Sequence, residues 1–215
     1  MRLAPMLIAA GILGAFATFG VGLVAITNEL TAPLIAENER AAVLRQVRAI
    51  LPEGSFDNDP IEDRIEVSGP VLLGAPTTQV YRARKDGEPV ALILNPVIGN
   101  GYSGPIKLLV SVLADGSLGG VRVLFHRETP GLGDRIEEAR SDWIHGFAGK
   151  SLGNPPVEDW EVRRDGGVFD QFTGATVTPR AIVRAVRGAL QFASEQGAAL
   201  FVAPAVASAA QQKGT

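Results

Sequence analysis

Cysteine is absent from all 215 residues. That excludes disulfides, thiol nucleophiles and cysteine-ligated iron–sulfur clusters, so any redox chemistry must use a bound organic cofactor or a partner's metal. Histidine is nearly absent too. His126 and His145 are the only two, and neither has a carboxylate at ligand spacing, so no metal site is expected. Positive charge is not in excess: 20 Lys plus Arg against 23 Asp plus Glu give a net charge of −3. Without a basic field to attract phosphodiester backbone, the chain is not expected to bind nucleic acid.

Charge is missing altogether from Leu3 to Asn28. This apolar run is long enough to cross a hydrocarbon core of about 30 Å. Arg2 stands before it and Glu29 is the first charge beyond it, which predicts a cytoplasmic N-terminus and an outward-facing remainder. A cleaved signal peptide is the competing reading. The run exceeds the usual signal core, however, and no clear small-x-small cleavage site ends it. Ala10, Gly14, Thr18 and Gly22 recur every fourth residue as a stripe of small side chains. Such a stripe suits close approach of a neighbouring membrane helix, or belongs to a lone anchor that is rich in glycine.

Beyond the anchor (residues 1–28), Pro33 is expected to open a stalk helix within 29–52, with Leu34, Ala41, Leu44, Val47 and Leu51 at helical spacing. Pro52-Glu53-Gly54 stops it. From 53 to 202 the pattern predicts one α+β domain with a largely antiparallel sheet. Its strands are Thr78 to Arg84, Pro89 to Asn95, Ile106 to Ala114 and Val121 to His126, with turns at Lys85-Asp86-Gly87 and Asp115-Gly116. A helix from Asp134 to Phe147 and a strand near Trp160 to Arg163 are expected next. Residues 203–215 read as a frayed, Ala/Gln-rich tail.

Chemistry concentrates in Asp170-Gln171-Phe172-Thr173-Gly174-Ala175-Thr176 and the Val177-Thr178-Pro179-Arg180 that follows. Thr178 suits a helix N-cap and Pro179 a first-turn position. Ile182, Val186, Ala189, Leu190 and Ala193 then recur on one face, with Arg180, Arg184 and Arg187 mainly on the other. Two hydroxyls, a glycine and a helix N-terminus can hold a phosphate. A plain capped turn accounts for the same residues. Asp170 could hold a cation or cap local backbone. Trp143 and Trp160 fit the core better than a stacking role.

Two glycine-bearing loops precede this segment. Gly99-Asn100-Gly101-Tyr102-Ser103-Gly104 spells G-x-G-x-x-G, but a strand-like Ile106 to Ala114 follows where a dinucleotide fingerprint needs a helix, so a Rossmann site is rejected. His126-Arg127-Glu128-Thr129-Pro130-Gly131-Leu132-Gly133-Asp134 carries Pro and Gly suited to a rigid turn.

The heptad Asp170 to Thr176 resembles the D-x-x-T-G-A-T flavinylation motif shared by the G subunits of Rnf complexes and the C subunits of Nqr complexes. Glu128 to Gly133 is similar to the E-T-P-G-L-G loop of the same families. Their order and separation match, and the likeness covers nearly the whole chain except the tail. The short chain suits the Rnf side. This resemblance implies FMN held covalently through its phosphate on Thr176 and installed by a dedicated flavin transferase. Thr173, Gly174, Ala175 and Asp170 would surround the attachment point, with Glu128, Thr129 and Leu132 lining the isoalloxazine. It also implies a single-pass protein of the bacterial inner membrane with a periplasmic FMN-binding domain. Such a protein would relay electrons between ferredoxin and NAD within an ion-translocating complex, beside its A, B, C, D and E subunits. A membrane-anchored, non-redox sensor or binding module is the alternative use of the same fold.

Overall fold

The computed structural model describes residues 3–205. The chain divides into two compact units, one ending at Val43 and the other beginning at Leu44. Arg2, used above to orient the anchor, and most of the expected tail lie outside the described residues.

Through the first unit runs helix α1, Leu3–Ala49, a single element that continues past Pro33. Within it, Ala10–Ala49 contains an 18-residue stretch apolar enough to cross a membrane, with a mean hydropathy of 1.9. Leu7, Leu13, Phe16, Phe19 and Val24 are all exposed, so the uncharged part of the helix is apolar all round rather than on one face. Its threonines keep their hydroxyls satisfied internally: Thr18 donates to the Gly14 carbonyl at 2.8 Å, Thr27 to Leu23 at 2.9 Å and Thr31 to Thr27 at 2.8 Å. Back-bonding of this kind lets a hydroxyl face an apolar surrounding without an orphaned donor.

In the second unit, the α+β expectation is met by a six-stranded sheet in which every pairing is antiparallel. The strands are β1 Arg64–Gly69, β2 Ala75–Lys85, β3 Glu88–Leu94, β4 Val97–Ile98, β5 Ile106–Leu113 and β6 Leu118–Phe125. Strands β1, β2, β3 and β5 lie side by side, β4 continues along the same edge of β5 that β3 uses, and β6 pairs with the other edge. Pro96 separates β3 from β4; it has no N–H, but its carbonyl accepts from Leu108 at 3.0 Å. The β2–β3 turn is Asp86-Gly87 with φ of 51° and 82°, the left-handed pair that a two-residue hairpin needs.

A second helix, α2 (Val177–Val202), lies on one sheet face and buries Ile182, Val183, Val186, Ala189, Leu190 and Phe192 against Val80, Leu92, Leu94, Leu108 and Val110. It comes very close at Gly188, where a Cβ would stand 2.5 Å from the Leu72 carbonyl oxygen. Onto the opposite face fold Val47, Ile50 and Leu51, with Ser111 Oγ donating to the Ile50 carbonyl at 2.8 Å.

Several local expectations need correction. Strand β1 is not among the expected strands, because only Ile65 and Val67 mark it among polar neighbours. The helix expected over Asp134 to Phe147 is instead two 3-10 turns, Gly133–Ile136 and Asp142–Phe147. Ser141 divides them: its backbone is extended, its hydroxyl donates to the Arg135 carbonyl at 2.6 Å, and its oxygen accepts from Trp143 N–H at 3.3 Å. The strand expected near Trp160 is only an isolated bridge, Val162 with Phe169. Trp160, Phe147 and Phe169 cluster there, and core packing of these rings replaces a ladder.

Candidate functional site

Residues 170–178 form a loop fixed at both ends. At its start the Asp170 carbonyl accepts from Trp143 Nε1–H at 2.8 Å, while the Asp170 carboxylate pairs with Arg163 at 2.9 Å. Phe172 is buried beneath the loop, edge-on to Trp143 at 5.2 Å, with the Arg135 guanidinium over its ring at 5.1 Å. A turn follows, closed by Ala175 N–H to the Phe172 carbonyl at 3.1 Å. Its third residue is Gly174 at φ +83°, a conformation that disfavours any side chain. Thr173 and Gly174 are exposed on this turn.

Thr176 comes next and occupies the cap position of α2, with helical backbone angles of −79° and −28°. Its carbonyl accepts from Arg180 N–H at 3.3 Å. Its hydroxyl makes no capping bond and has no hydrogen-bond partner among the described residues. The helix therefore begins earlier than the sequence suggests, and Thr178 is not its N-cap. Thr178 is fully buried, and its hydroxyl donates to Glu128 Oε2 at 2.7 Å. A helical start at Val177 still leaves the Val177 and Thr178 N–H groups without intrahelical acceptors, and Pro179 has none to orphan.

Glu128 belongs to the loop after β6. Pro130 and Gly131 (φ +80°) form a turn in which the Thr129 carbonyl accepts from both Leu132 and Gly133 N–H at 3.1 Å. Proline followed by a left-handed glycine is what a type II turn requires. Leu132 is 43% exposed, and its Cδ2 stands 3.4 Å from where a Gly174 Cβ would lie. Glu128 folds underneath with 5% exposure. Its Oε1 accepts from Ser103 N–H at 3.2 Å, and a Cβ on Gly101 would press within 2.9 Å of the same oxygen. Gly133 leaves the room that the Glu128 side chain fills, since a Cβ there would meet Oε2 at 2.7 Å. Glu128 N–H donates to His126 Nδ1 at 3.0 Å, and His126 Nε2 meets Glu137 at 2.5 Å.

Three loops therefore converge: the glycine-rich loop through Ser103, the Glu128–Gly133 turn, and the entry to α2 through Thr178. Glu128 and Leu132 reach the segment that carries Thr176; Thr129 contributes a backbone carbonyl, and Asp170 contacts Arg163 and Trp143. Three arginines of α2 are engaged by carboxylates. Arg180 forms a two-pronged pair with Asp165 at 2.5 and 2.8 Å, while Arg184 and Arg187 approach Glu161 at 3.3 and 3.7 Å. The Arg180 hydrogen bond holds the Asp165 carboxyl below its usual range. A groove of about 620 Å³ lies elsewhere, along the C-terminal half of α2 between Leu92, Val112, Leu190 and Phe201, and includes no motif residue. Sequence reasoning missed the roles of Ser103, Trp143 and Thr178. Thr178 carried a signal, because it stands four residues before Ile182 on the buried face of α2.

Residues 101–191, which contain most of the glycine-rich loop, the Glu128–Gly133 turn and the entry to α2, match the family model of an FMN-binding domain. Residues 1–50 match the model of the RnfG N-terminal region. The G subunit of the ion-translocating oxidoreductase complex of Pseudomonas aeruginosa is 53% identical over 182 residues, covering 84% of this chain and 85% of that protein. The protein of the same name from Vibrio cholerae is 42% identical over 184 residues (86% and 88%), and that of Vibrio atlanticus 41% over 193 residues (90% and 92%).

Proposed function

This chain belongs to the RnfG family, the G subunits of ion-translocating oxidoreductase complexes, and from that premise we propose that it is an electron carrier whose FMN is esterified to Thr176. The observation that carries the assignment is the state of the Thr176 hydroxyl. Thr173 lies on an exposed turn and Thr178 is buried and bonded, whereas Thr176 stands at the mouth of α2 with its hydroxyl uncommitted. The unpaired N–H groups and positive helix end favour the charge of a phosphodiester at that point.

The surroundings fit the rest of the group. Gly174 keeps the approach to Thr176 low, Ala175 adds little bulk, and Leu132 and Thr129 offer one apolar and one polar edge to a flat ring. Glu128 supports them from beneath, and Asp170 with Trp143 holds the start of the loop. Bound FMN would supply one- and two-electron redox chemistry, which a chain without cysteine cannot supply from its own side chains. In attachment, Thr176 Oγ1 would be the nucleophile towards the phosphorus of a flavin dinucleotide, displacing a nucleoside monophosphate as the phosphoanhydride bond breaks and giving its hydroxyl proton to a base of the flavin transferase. A covalent tether replaces a dissociation constant, so a carrier on an open surface never loses its cofactor.

We infer that the N-terminus is cytoplasmic and that the flavin domain, about 53–202, lies in the periplasm beyond an anchor ending near Asn28 in the inner membrane, because Arg2 precedes the apolar run and Glu29 is the first charge after it. There the protein relays electrons in a complex linking ferredoxin and NAD to ion movement, alongside the A, B, C, D and E subunits. Thr176→Val tests the attachment. In-gel flavin fluorescence after denaturation is expected to vanish while the protein still inserts and folds; fluorescence that persists refutes the site.

A further inference from the structure

Burying a carboxylate is costly, and Glu128 is 5% exposed with no cation paired to it among the described residues. An apolar pair of the same shape at 128 and 178 would be as stable or more so. What the polar pair adds is direction. Glu128 Oε2 accepts from the Thr178 hydroxyl at 2.7 Å, and this contact turns the Thr178 side chain inward. At 3.6 residues per turn, side chains two positions apart point about 200° from one another. Thr176 has helical backbone angles and lies two positions earlier, so an inward Thr178 turns Thr176 outward.

The carboxylate is itself held on every side. Ser103 N–H donates to Oε1, Gly133 leaves space for its methylene groups, and its own N–H is tied to His126, which Glu137 holds in turn. We propose that Glu128 is a positioning residue for flavin attachment, acting through Thr178 to set the direction of the Thr176 hydroxyl. The inference rests on Thr176 being the attachment point. Group transfer is sensitive to such placement, a misplacement of about 1 Å being enough to cost about a hundredfold in rate.

The test uses full-length protein in its native membrane with its maturation machinery present. The rate of covalent flavin loading is read by in-gel fluorescence per unit protein, and the melting temperature of each variant is measured alongside. Thr178→Val keeps the shape but removes the donor, and is expected to load at about a tenth of the wild-type rate or less. Thr178→Ser, which restores the hydroxyl, is expected to load normally. Combining Glu128→Leu with Thr178→Val is expected to regain melting temperature while loading stays slow. Ile93→Val, buried on the far face of the sheet, is expected to melt earlier yet load normally. Wild-type loading by Thr178→Val or by the double variant overturns the proposal, as does slow loading by Ile93→Val. Thr176→Val separates the two readings: retained fluorescence there means the attachment point itself is wrong. Lost fluorescence there, with Thr178→Val loading normally, refutes only the positioning role.

Discussion

Arg82 offers a perturbation whose size can be worked from the structure. It is a buried cation on β2 that reaches the end of α2, where Nη1 donates to the carbonyls of Leu200 at 2.9 Å and Ala203 at 2.5 Å. Its Nη2 pairs with Asp63. The last carbonyls of a helix have no intrahelical donor and carry partial negative charge, so Arg82 acts as the cap that the sequence of α2 does not supply. Arg82→Met keeps the apolar stem and removes the charge. Two charge-assisted bonds to the helix end are lost, each contributing about 1.5–3 kcal/mol, together with the pairing to Asp63. Asp63 keeps Arg84 Nε at 2.8 Å, and Phe201 keeps Arg84 Nη2 at 2.5 Å, which limits the damage. The expected loss is about 3–5 kcal/mol, the range for breaking a buried ion pair. At about 2–4 °C per kcal/mol for a domain of this size, the melting temperature should fall by about 6–20 °C. Trp143 and Trp160 both lie in this domain, so intrinsic fluorescence of the detergent-solubilised chain reports the transition. A fall below about 2 °C would show that the α2 terminus is not held by Arg82.

Other substitutions probe other links. Gly188→Leu must displace the Leu72 carbonyl, 2.5 Å from the nearest added atom, and should cost at least the roughly 1–3 kcal/mol of ordinary overpacking, read by the same melt. Arg180→Gln should release the Asp165 carboxyl towards its usual value. The stabilisation from the lowered pKa is present above the unfolded value of about 3.9 and fades as pH falls through the lower folded value. Wild type and variant should therefore differ above about pH 4 and converge below it, and an unchanged Asp165 titration by NMR would refute the pairing. A reporter active only outside the cytoplasm should work when fused after Phe201 and stay silent before Leu7; the reverse pattern would put the flavin domain in the cytoplasm.

Much of the sheet was legible because short apolar, β-branched runs bounded by Asp-Gly or other Gly-containing turns are local signals. Ala75–Lys85, Glu88–Leu94, Ile106–Leu113 and Leu118–Phe125 follow from them to within three residues at each end, whereas the two-residue Val97–Ile98 was not anticipated. The face of α2 was legible for the same reason. The stretch from 134 to 176 was not. There Ile136, Ile144 and Phe147 are spaced as a helix would space them, but they enter the core from two 3-10 turns, and Trp160 and Phe169 enter from the irregular chain beyond. Ring-on-ring packing and a serine that binds backbone decide that arrangement, and neither leaves a periodic trace. At the candidate site, one expected role was mistaken. Thr178 has the chemistry of an N-cap, and only tertiary contact with Glu128, 50 residues earlier, turns it inward.

Whether the Thr176 hydroxyl alone carries the flavin is decided most directly by mass. Digestion after arginine releases residues 165–180 as one peptide, which contains Thr173, Thr176 and Thr178. Fragmentation mass spectrometry of this peptide, from protein purified out of its native membrane, distinguishes among them. A single FMN ester, localised to Thr176, is the expected result. An unmodified peptide, or a flavin on Thr173 or Thr178, would contradict it.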